Sequence, residues 1–477
     1  MNKQKYYITT AIPYVNARPH IGHALEFVQA DAFARFQRLV KNDVFFASGS
    51  DENSLKNVQA AEKEKIQTKE LVKKYADNFE NLKDSLNLTF DVFNRTATEA
   101  HYKGAQKLWQ NCKKEDIYKK SYKGLYCVGC EQFYTKDELV EGKCPEHLTT
   151  PEEIEEENYF FKLTNYQKIL EDLIESDKLK IIPQTRKNEV LSFIKGGLED
   201  FSISRSKSRA RDWGVPVPND EDQIMYVWFD ALATYLTALG YGKDEKLFKK
   251  YWLESKNRVH VIGKGIIRFH AVYWPAMLES ARLPLPTTEF VHGYATVEGQ
   301  KISKSLGNTI DPETLVKKYG VDVVRYYLLR EIPSYNDGDF SEKRLLEIYN
   351  GELANGLGNT VARLAKLAEN SNLEFEKPSI PEQIFVKEEV DAINNFWFET
   401  LHNILVVHLQ KIDQHINQHS PWLIKDKNQL KNVLQEEINA LRKLAYKLLP
   451  FLPQTAEKIL KQFTGEIKSQ PALFPRI

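Results

Sequence analysis

Cysteine is scarce in this chain, with four in 477 residues. That is too few for a disulfide scaffold, so a reducing compartment is the expected setting. Long apolar runs are missing as well. No stretch of about 18 apolar residues occurs, and the opening Met1-Asn2-Lys3-Gln4-Lys5 is polar where a secretory leader would be greasy. A cytoplasmic protein without a membrane span is the expectation. Net charge is absent too: 66 Lys and Arg stand against 66 Asp and Glu. This excludes a binder that works by overall basicity, so any nucleic-acid contact must be local. With 22 Gly, 19 Pro, no low-complexity tract and 42% hydrophobic residues, disorder is excluded and the length suits roughly three domains.

What is present reads as alternating strands and helices. Residues 6–12 are β-branched and aromatic and stop at Pro13, as a strand entering a loop does. Leu25, Val28, Ala32, Phe36 and Leu39 then recur at helical spacing, so a helix begins near Gly22 to Ala24. Val44 to Ala47 is the next strand. Such a βαβ unit implies a parallel sheet with ligands at the carboxyl ends of its strands, where the loop from Pro13 to His20 lies. Around Ser121 a Cys/Tyr-rich segment, the acidic run 151–157 and an amphipathic helix from about Tyr166 read as an insertion. Strands are expected again at 225–229 and 258–263. Beyond about residue 350 the chain reads as helical, with one stripe through Ile393, Trp397, Leu401, Ile404, His408, Ile412 and Ile416 and another through Val433, Leu434, Ile438, Leu441, Ala445 and Leu448.

Three motifs carry chemistry. Pro19-His20-Ile21-Gly22-His23 stands at a helix N-terminus, where free N–H groups and the helix dipole favour anions and imidazoles can donate to phosphate oxygens. Residues 299–308, Gly-Gln-Lys-Ile-Ser-Lys-Ser-Leu-Gly-Asn, supply two lysines in a short loop. Cys127 and Cys130, thirteen intervening residues, then Cys144 and His147 give C-x2-C-x13-C-x2-H, a spacing that presents four tetrahedral ligands to one structural zinc ion. Cys112 stands apart as a packed or partly exposed thiol. The basic stretch Arg205 to Arg211 reads either as a phosphate contact or as a solvated loop.

The first two motifs resemble the HIGH and KMSKS elements of class I aminoacyl-tRNA synthetases. Ala11-Ile12-Pro13-Tyr14-Val15-Asn16, Tyr226-Val227-Trp228-Phe229-Asp230-Ala231 and Phe269 to Ala276 resemble the methionyl branch of that family through nearly the whole chain. The resemblance implies an α/β fold: a split Rossmann-like parallel sheet with a zinc-knuckle connective insertion and a C-terminal α-helical bundle. It divides the chain into 1–115 and 225–320 as the two catalytic halves, 116–224 as the insertion, 321–350 as a stem-contact region and 351–477 as the anticodon-binding bundle. It implies that His20, His23, Lys301 and Lys304 handle the phosphates of ATP with Mg2+, and that Gly22, Glu26, Gly293 and Ser303 complete the ATP site. The carboxylate of L-methionine would attack the α-phosphorus, with no covalent enzyme intermediate. Ile12, Tyr14, Trp228, Ala231, Tyr235, Phe269, His270 and Trp274 would line the methionine pocket, with Asp51 on the α-ammonium group. Aromatic walls suit a polarizable thioether, and a Tyr hydroxyl or His nitrogen can bond sulfur weakly. Asn359, Arg363 and Trp422 would read the anticodon of initiator and elongator tRNA(Met).

Three departures stand out. Ile302 replaces Met in the lysine loop, Asn53-Ser54 replaces His-Gly after Asp51-Glu52, and Gly265 replaces an Asp near the ribose. A monomer is expected, since no appended domain follows Ile477. The rival readings are another class I synthetase for an apolar or thiol amino acid, and a catalytically silent tRNA-binding paralogue.

Overall fold

A computed structural model describes residues 3–129, 132–146, 148–302, 308–376, 380–381 and 383–477. The chain forms two compact units: Met1–Pro19 with Lys41–Asp84 and Thr89–Val291, and His20–Val40 with Ser85–Leu88 and His292–Ile477.

The first unit is built on a six-stranded sheet in the order Val92–Arg95, Asp43–Ser50, Lys5–Thr10, Asn257–Gly263, Thr288–His292, Lys180–Ile182. Lys5–Thr10 pairs in parallel on both sides, with Ile8 opposite Phe46 and Val259. Tyr7 to Thr10 are buried, which explains their continuous apolar and β-branched character. The insertion folds as antiparallel strands, Ile117–Cys127 against Glu152–Phe161. The acidic run therefore lies opposite a lysine-bearing strand: Lys123 pairs with Glu153 at 3.2 Å and Lys119 with Glu157 at 3.6 Å, cross-strand contacts that pin register more than they add stability.

Two expectations need correction in this unit. The run 225–229 is not a strand. The strand Asp220–Met225 ends there, and Val227–Thr237 is a helix with Tyr226 as its extended N-cap. A short unbroken apolar run shows no periodicity to separate strand from helix. The Arg205 to Arg211 stretch is not simply a solvated loop, because Arg205 is buried, bonds the Tyr126 hydroxyl at 3.2 Å and lies 5.1 Å over the ring of Tyr226.

In the second unit, the helix Ile21–Leu39 packs with Val321–Arg330 through a fully buried pair, Arg325 and Asp31 at 2.8 Å. Arg325 also donates to the carbonyls of Leu86, Pro450 and Phe451, so each nitrogen of the guanidinium has a partner. A short sheet, Gln300–Lys301, Ala295–Val297, Gly338–Phe340, precedes the terminal helices. The first predicted stripe is interrupted: Lys387–Asn394 stops, Phe396 takes a left-handed φ of 58°, and a new helix spans Thr400–His419. Phe396 and Phe398 are fully buried, the former 4.4 Å from Phe33, while Trp397 turns outward at 53% exposure. Aromatic anchoring at the turn outweighs helix continuity.

Candidate active site

The helix Ile21–Leu39 begins with imidazoles where a Ser or Asp cap is usual. Gly22 N–H donates to His20 Nδ1 at 3.1 Å, His20 N–H donates to His23 Nδ1 at 3.1 Å, and the two rings lie 3.9 Å apart. With each Nδ1 accepting, a neutral ring must carry its proton on Nε2. Burial keeps both rings neutral: it lowers His20 to about 4 and His23 well below its ordinary value, with the charge of His20 adding to the effect on His23. Backbone and burial together thus fix two Nε2–H donors at the positive end of a 19-residue helix. A Cβ on Gly22 would lie 2.9 Å from His20 Cε1 and push that ring away.

Residues on both flanks of the lysine loop lie at the same helix end. Ile21 N–H donates to the Ile310 carbonyl at 2.9 Å, and a Cβ on Gly22 would lie 3.9 Å from that of Ala295. Ala295 precedes the loop and Ile310 follows it. Lys301 closes the strand Gln300–Lys301 opposite Thr296. The side chain of Lys301, together with Ser303 and Lys304, lies outside the described residues.

Glu26 accepts from His292 Nε2 at 2.9 Å, while His292 Nδ1 lies 2.7 Å from the Gly293 carbonyl. Both ring nitrogens thus face oxygen atoms, which fixes the orientation of the ring. Gly293 is fixed by close approach, since a Cβ there would overlap the backbone of Asn336 and Asp337.

In the first unit, most of the expected methionine-pocket residues come together. Trp228 stacks on Phe269 at 3.7 Å and 7°, and Tyr14 meets Trp228 edge-on at 6.4 Å. Tyr14 and Asp51 form a parallel bridge, with Asp51 N–H on the Pro13 carbonyl at 2.9 Å. Ala231 is buried one turn beyond Trp228 on the same helix. Ile12 packs against Gly49, 3.1 Å from where a Cβ would stand. Tyr235 bonds His270 Nε2 at 2.7 Å, and Trp274 lies 6.0 Å from the Tyr235 ring. His270 Nδ1 donates to the Ile266 carbonyl at 2.9 Å, so Nε2 is the acceptor and the Tyr235 hydroxyl the donor. Burial lowers His270 to about 4, consistent with a neutral ring.

Sequence reasoning missed His260. Its ring lies 4.2 Å from Tyr235 and its Nδ1 2.7 Å from Thr9 Oγ1. An Arg-Val-His-Val-Ile strand gives no hint that its histidine backs a pocket.

Of the knuckle, Cys127 and Cys144 are buried in one small cluster with Tyr134, and neither forms a disulfide. Cys130 and His147 lie outside the described residues, among which no group of three or more ligating side chains assembles. Cys112 is fully packed, its thiol pushed up to about 12 by burial. Elsewhere in the second unit, Asn359 is exposed, and the Arg363 guanidinium lies 5.7 Å over the ring of Trp422, which is 54% exposed. Arg363 is steadied by Asn417 at 2.9 Å.

The family model for class I tRNA synthetases (M) matches residues 6–151 and 146–365. The methionine–tRNA ligase of Brucella suis biovar 1 is 42% identical over 96% of this chain and 92% of its own length. That of Thermotoga maritima is 41% identical over 97% of this chain and 76% of its own. Among solved structures, the methionyl-tRNA synthetase of Mycobacterium tuberculosis in complex with methionyl-adenylate superposes with a TM-score of 0.91 at 36% identity, covering 99% of this chain and all of that one. By its family model, its end-to-end relatives and its fold, the chain belongs to the methionyl-tRNA synthetases of class I.

Proposed function

We propose that the chain activates L-methionine with MgATP and passes the methionyl group to the 3′-terminal adenosine of initiator and elongator tRNA(Met). In the first step a methionine carboxylate oxygen bonds the α-phosphorus, the α–β bridging bond breaks, and pyrophosphate leaves. The observation that carries this reading is that both flanks of the Lys301–Lys304 segment meet the helix end that presents His20 and His23, Ile310 by a backbone hydrogen bond and Ala295 by lying beside Gly22. Both histidines donate from Nε2 to phosphate oxygens as charge shifts onto the leaving pyrophosphate, and Lys301 and Lys304 neutralise it. Mg2+ accompanying ATP would offset part of the charge on its phosphates. Gly22, Gly293, Ser303 and the Glu26–His292 pair serve the nucleotide.

Asp51 takes the α-ammonium group of methionine. Ile12, Tyr14, Trp228, Ala231, Phe269, His270 and Trp274 enclose its side chain with Tyr235. Because the Tyr235 proton is committed to His270, the thioether is recognised by polarizable aromatic surface rather than by a donated hydrogen bond.

Residues 1–115 and 225–320 act as the catalytic halves, 116–224 as the insertion, 321–350 as the stem contact and 351–477 as the anticodon reader. There the cation–π pair of Arg363 and Trp422 presents a stacking face beside Asn359. Cys127, Cys130, Cys144 and His147 would hold zinc; the buried, unbridged thiols of Cys127 and Cys144 fit that donor set. The ion would cross-link the two turns that carry its ligands. Metal analysis of the purified chain should find one zinc. No helix among the described residues is long and apolar enough to cross a membrane. A cytoplasmic monomer completes the reading, checked by sedimentation.

Amino-acid-dependent ATP–pyrophosphate exchange tests the substrate. Methionine should support exchange, and leucine, isoleucine, valine and cysteine should not. Exchange with leucine in place of methionine would overturn the assignment.

A further inference from the structure

The helix Val227–Thr237 has two working faces. Trp228, Ala231 and Tyr235 lie on one, toward the pocket described above; Asp230, Thr234 and Thr237, also at helical spacing, lie on another. Asp230 is 1% exposed, yet its carboxylate is not adrift. Asn53 Nδ2 donates to Oδ2 at 2.8 Å, and His101 Nε2 lies 2.6 Å from Oδ1. Thr237 Oγ1 lies 2.8 Å from His101 Nδ1 and receives an N–H from Asn94 at 3.0 Å, while its own proton has two acceptors in reach, His101 Nδ1 and the Thr234 carbonyl at 3.4 Å. Facing a carboxylate oxygen, His101 Nε2 is the donating nitrogen of this contact. The Asn53 amide is used in full: its second hydrogen goes to the Thr96 carbonyl at 3.2 Å and its oxygen accepts from Tyr102 at 3.2 Å. From this fixed residue the backbone N–H reaches Asp51 Oδ1 at 3.2 Å. The adjacent Glu52 is held separately by Arg95 at 2.6 Å.

We propose that His101, Asp230 and Asn53 form a positioning ladder that orients the Asp51 carboxylate toward the α-ammonium group of methionine. The inference rests on the proposed methionine site. It also accounts for the Asn at position 53, the departure from Asp-Glu-His-Gly. An amide makes three side-chain bonds there, with two donors and one acceptor, where an imidazole has only two nitrogens. The ladder touches no substrate and acts through Asp51.

Two probes separate the ammonium from the rest of the substrate: methioninol, which keeps the amine and lacks the carboxylate, and 4-(methylthio)butanoate, which keeps the carboxylate and lacks the amine. Bonds to charged groups are worth about tenfold or more in binding. Asp230→Asn, close in shape, should therefore weaken methioninol by about that factor, leave 4-(methylthio)butanoate within about twofold, and raise the methionine KM while the ATP KM holds. His101→Gln, which keeps a donor at the Nε2 position, should stay near wild type, whereas His101→Leu should behave like Asp230→Asn. Should Asp230→Asn fail to fold, the His101 pair decides. Equal weakening of both probes, or no change in either, overturns the ladder. A wild-type chain that binds methioninol no better than leucinol overturns the methionine reading itself.

Discussion

Replacing Tyr235 with Phe removes a single oxygen from a site that is 3% exposed. The change leaves volume and ring packing nearly intact, so the cost comes from what the hydroxyl served. His270 Nε2 accepts that proton at 2.7 Å, the imidazole is 2% exposed, and its Nδ1–H is committed to the Ile266 carbonyl. In Tyr235→Phe a buried acceptor loses its partner. Such an orphan costs about 1–3 kcal/mol, whereas replacing both partners by apolar groups of similar shape costs far less. The double variant Tyr235→Phe/His270→Leu should accordingly be more stable than the two single effects predict, by about 1–2 kcal/mol, even though Leu also abandons the Ile266 carbonyl. Urea unfolding of the four proteins measures this coupling, and the methionine KM from pyrophosphate exchange reports the pocket. Strict additivity, with an unchanged KM in Tyr235→Phe, would refute the assigned donor direction.

Acid should destabilise the chain in a defined window. His270 is held to about 4 against an ordinary value of 6.5, so the folded state binds its proton later than the unfolded one. Stability is then complete above about pH 6.5 and lost as pH falls toward 4, with about 3 kcal/mol from this group alone. His20, His23 and His260, lowered by the same burial, act in the same direction. The urea midpoint as a function of pH checks this, and a flat profile between pH 6.5 and 4 would contradict it. His20→Asn keeps an acceptor for Gly22 N–H but no distal donor, so it should hold its unfolding midpoint while losing about 10²-fold in exchange rate, and His20→Gln should do the reverse. Gly293→Ala must move the backbone of Asn336 and should cost about 1–3 kcal/mol in thermal unfolding.

The strand–helix–strand opening could be read directly, because Ile8 and Phe46 belong to contiguous buried strands and Leu25 to Phe36 keep helical spacing. The histidine pair was legible for a local reason: His20 and His23 lie within one turn. Their tautomers were not, since these depend on backbone amides that only the folded helix end supplies. The run 225–229 misled because five consecutive apolar residues show no periodicity. The ladder behind Asp51 joins residues 129 and 177 positions apart, so no spacing rule could assemble it. The break at Phe396 hides in a left-handed residue that no glycine marks.

Adenylate formation depends on two imidazoles acting as neutral Nε2–H donors to ATP. Single-turnover formation of methionyl-adenylate by His23→Ala, beside equilibrium binding of methionine to the same variant, tests this most directly. Loss of one such donor should slow adenylate formation by about 10²- to 10³-fold and leave methionine affinity unchanged. An undiminished rate, or a loss confined to methionine binding, would contradict it.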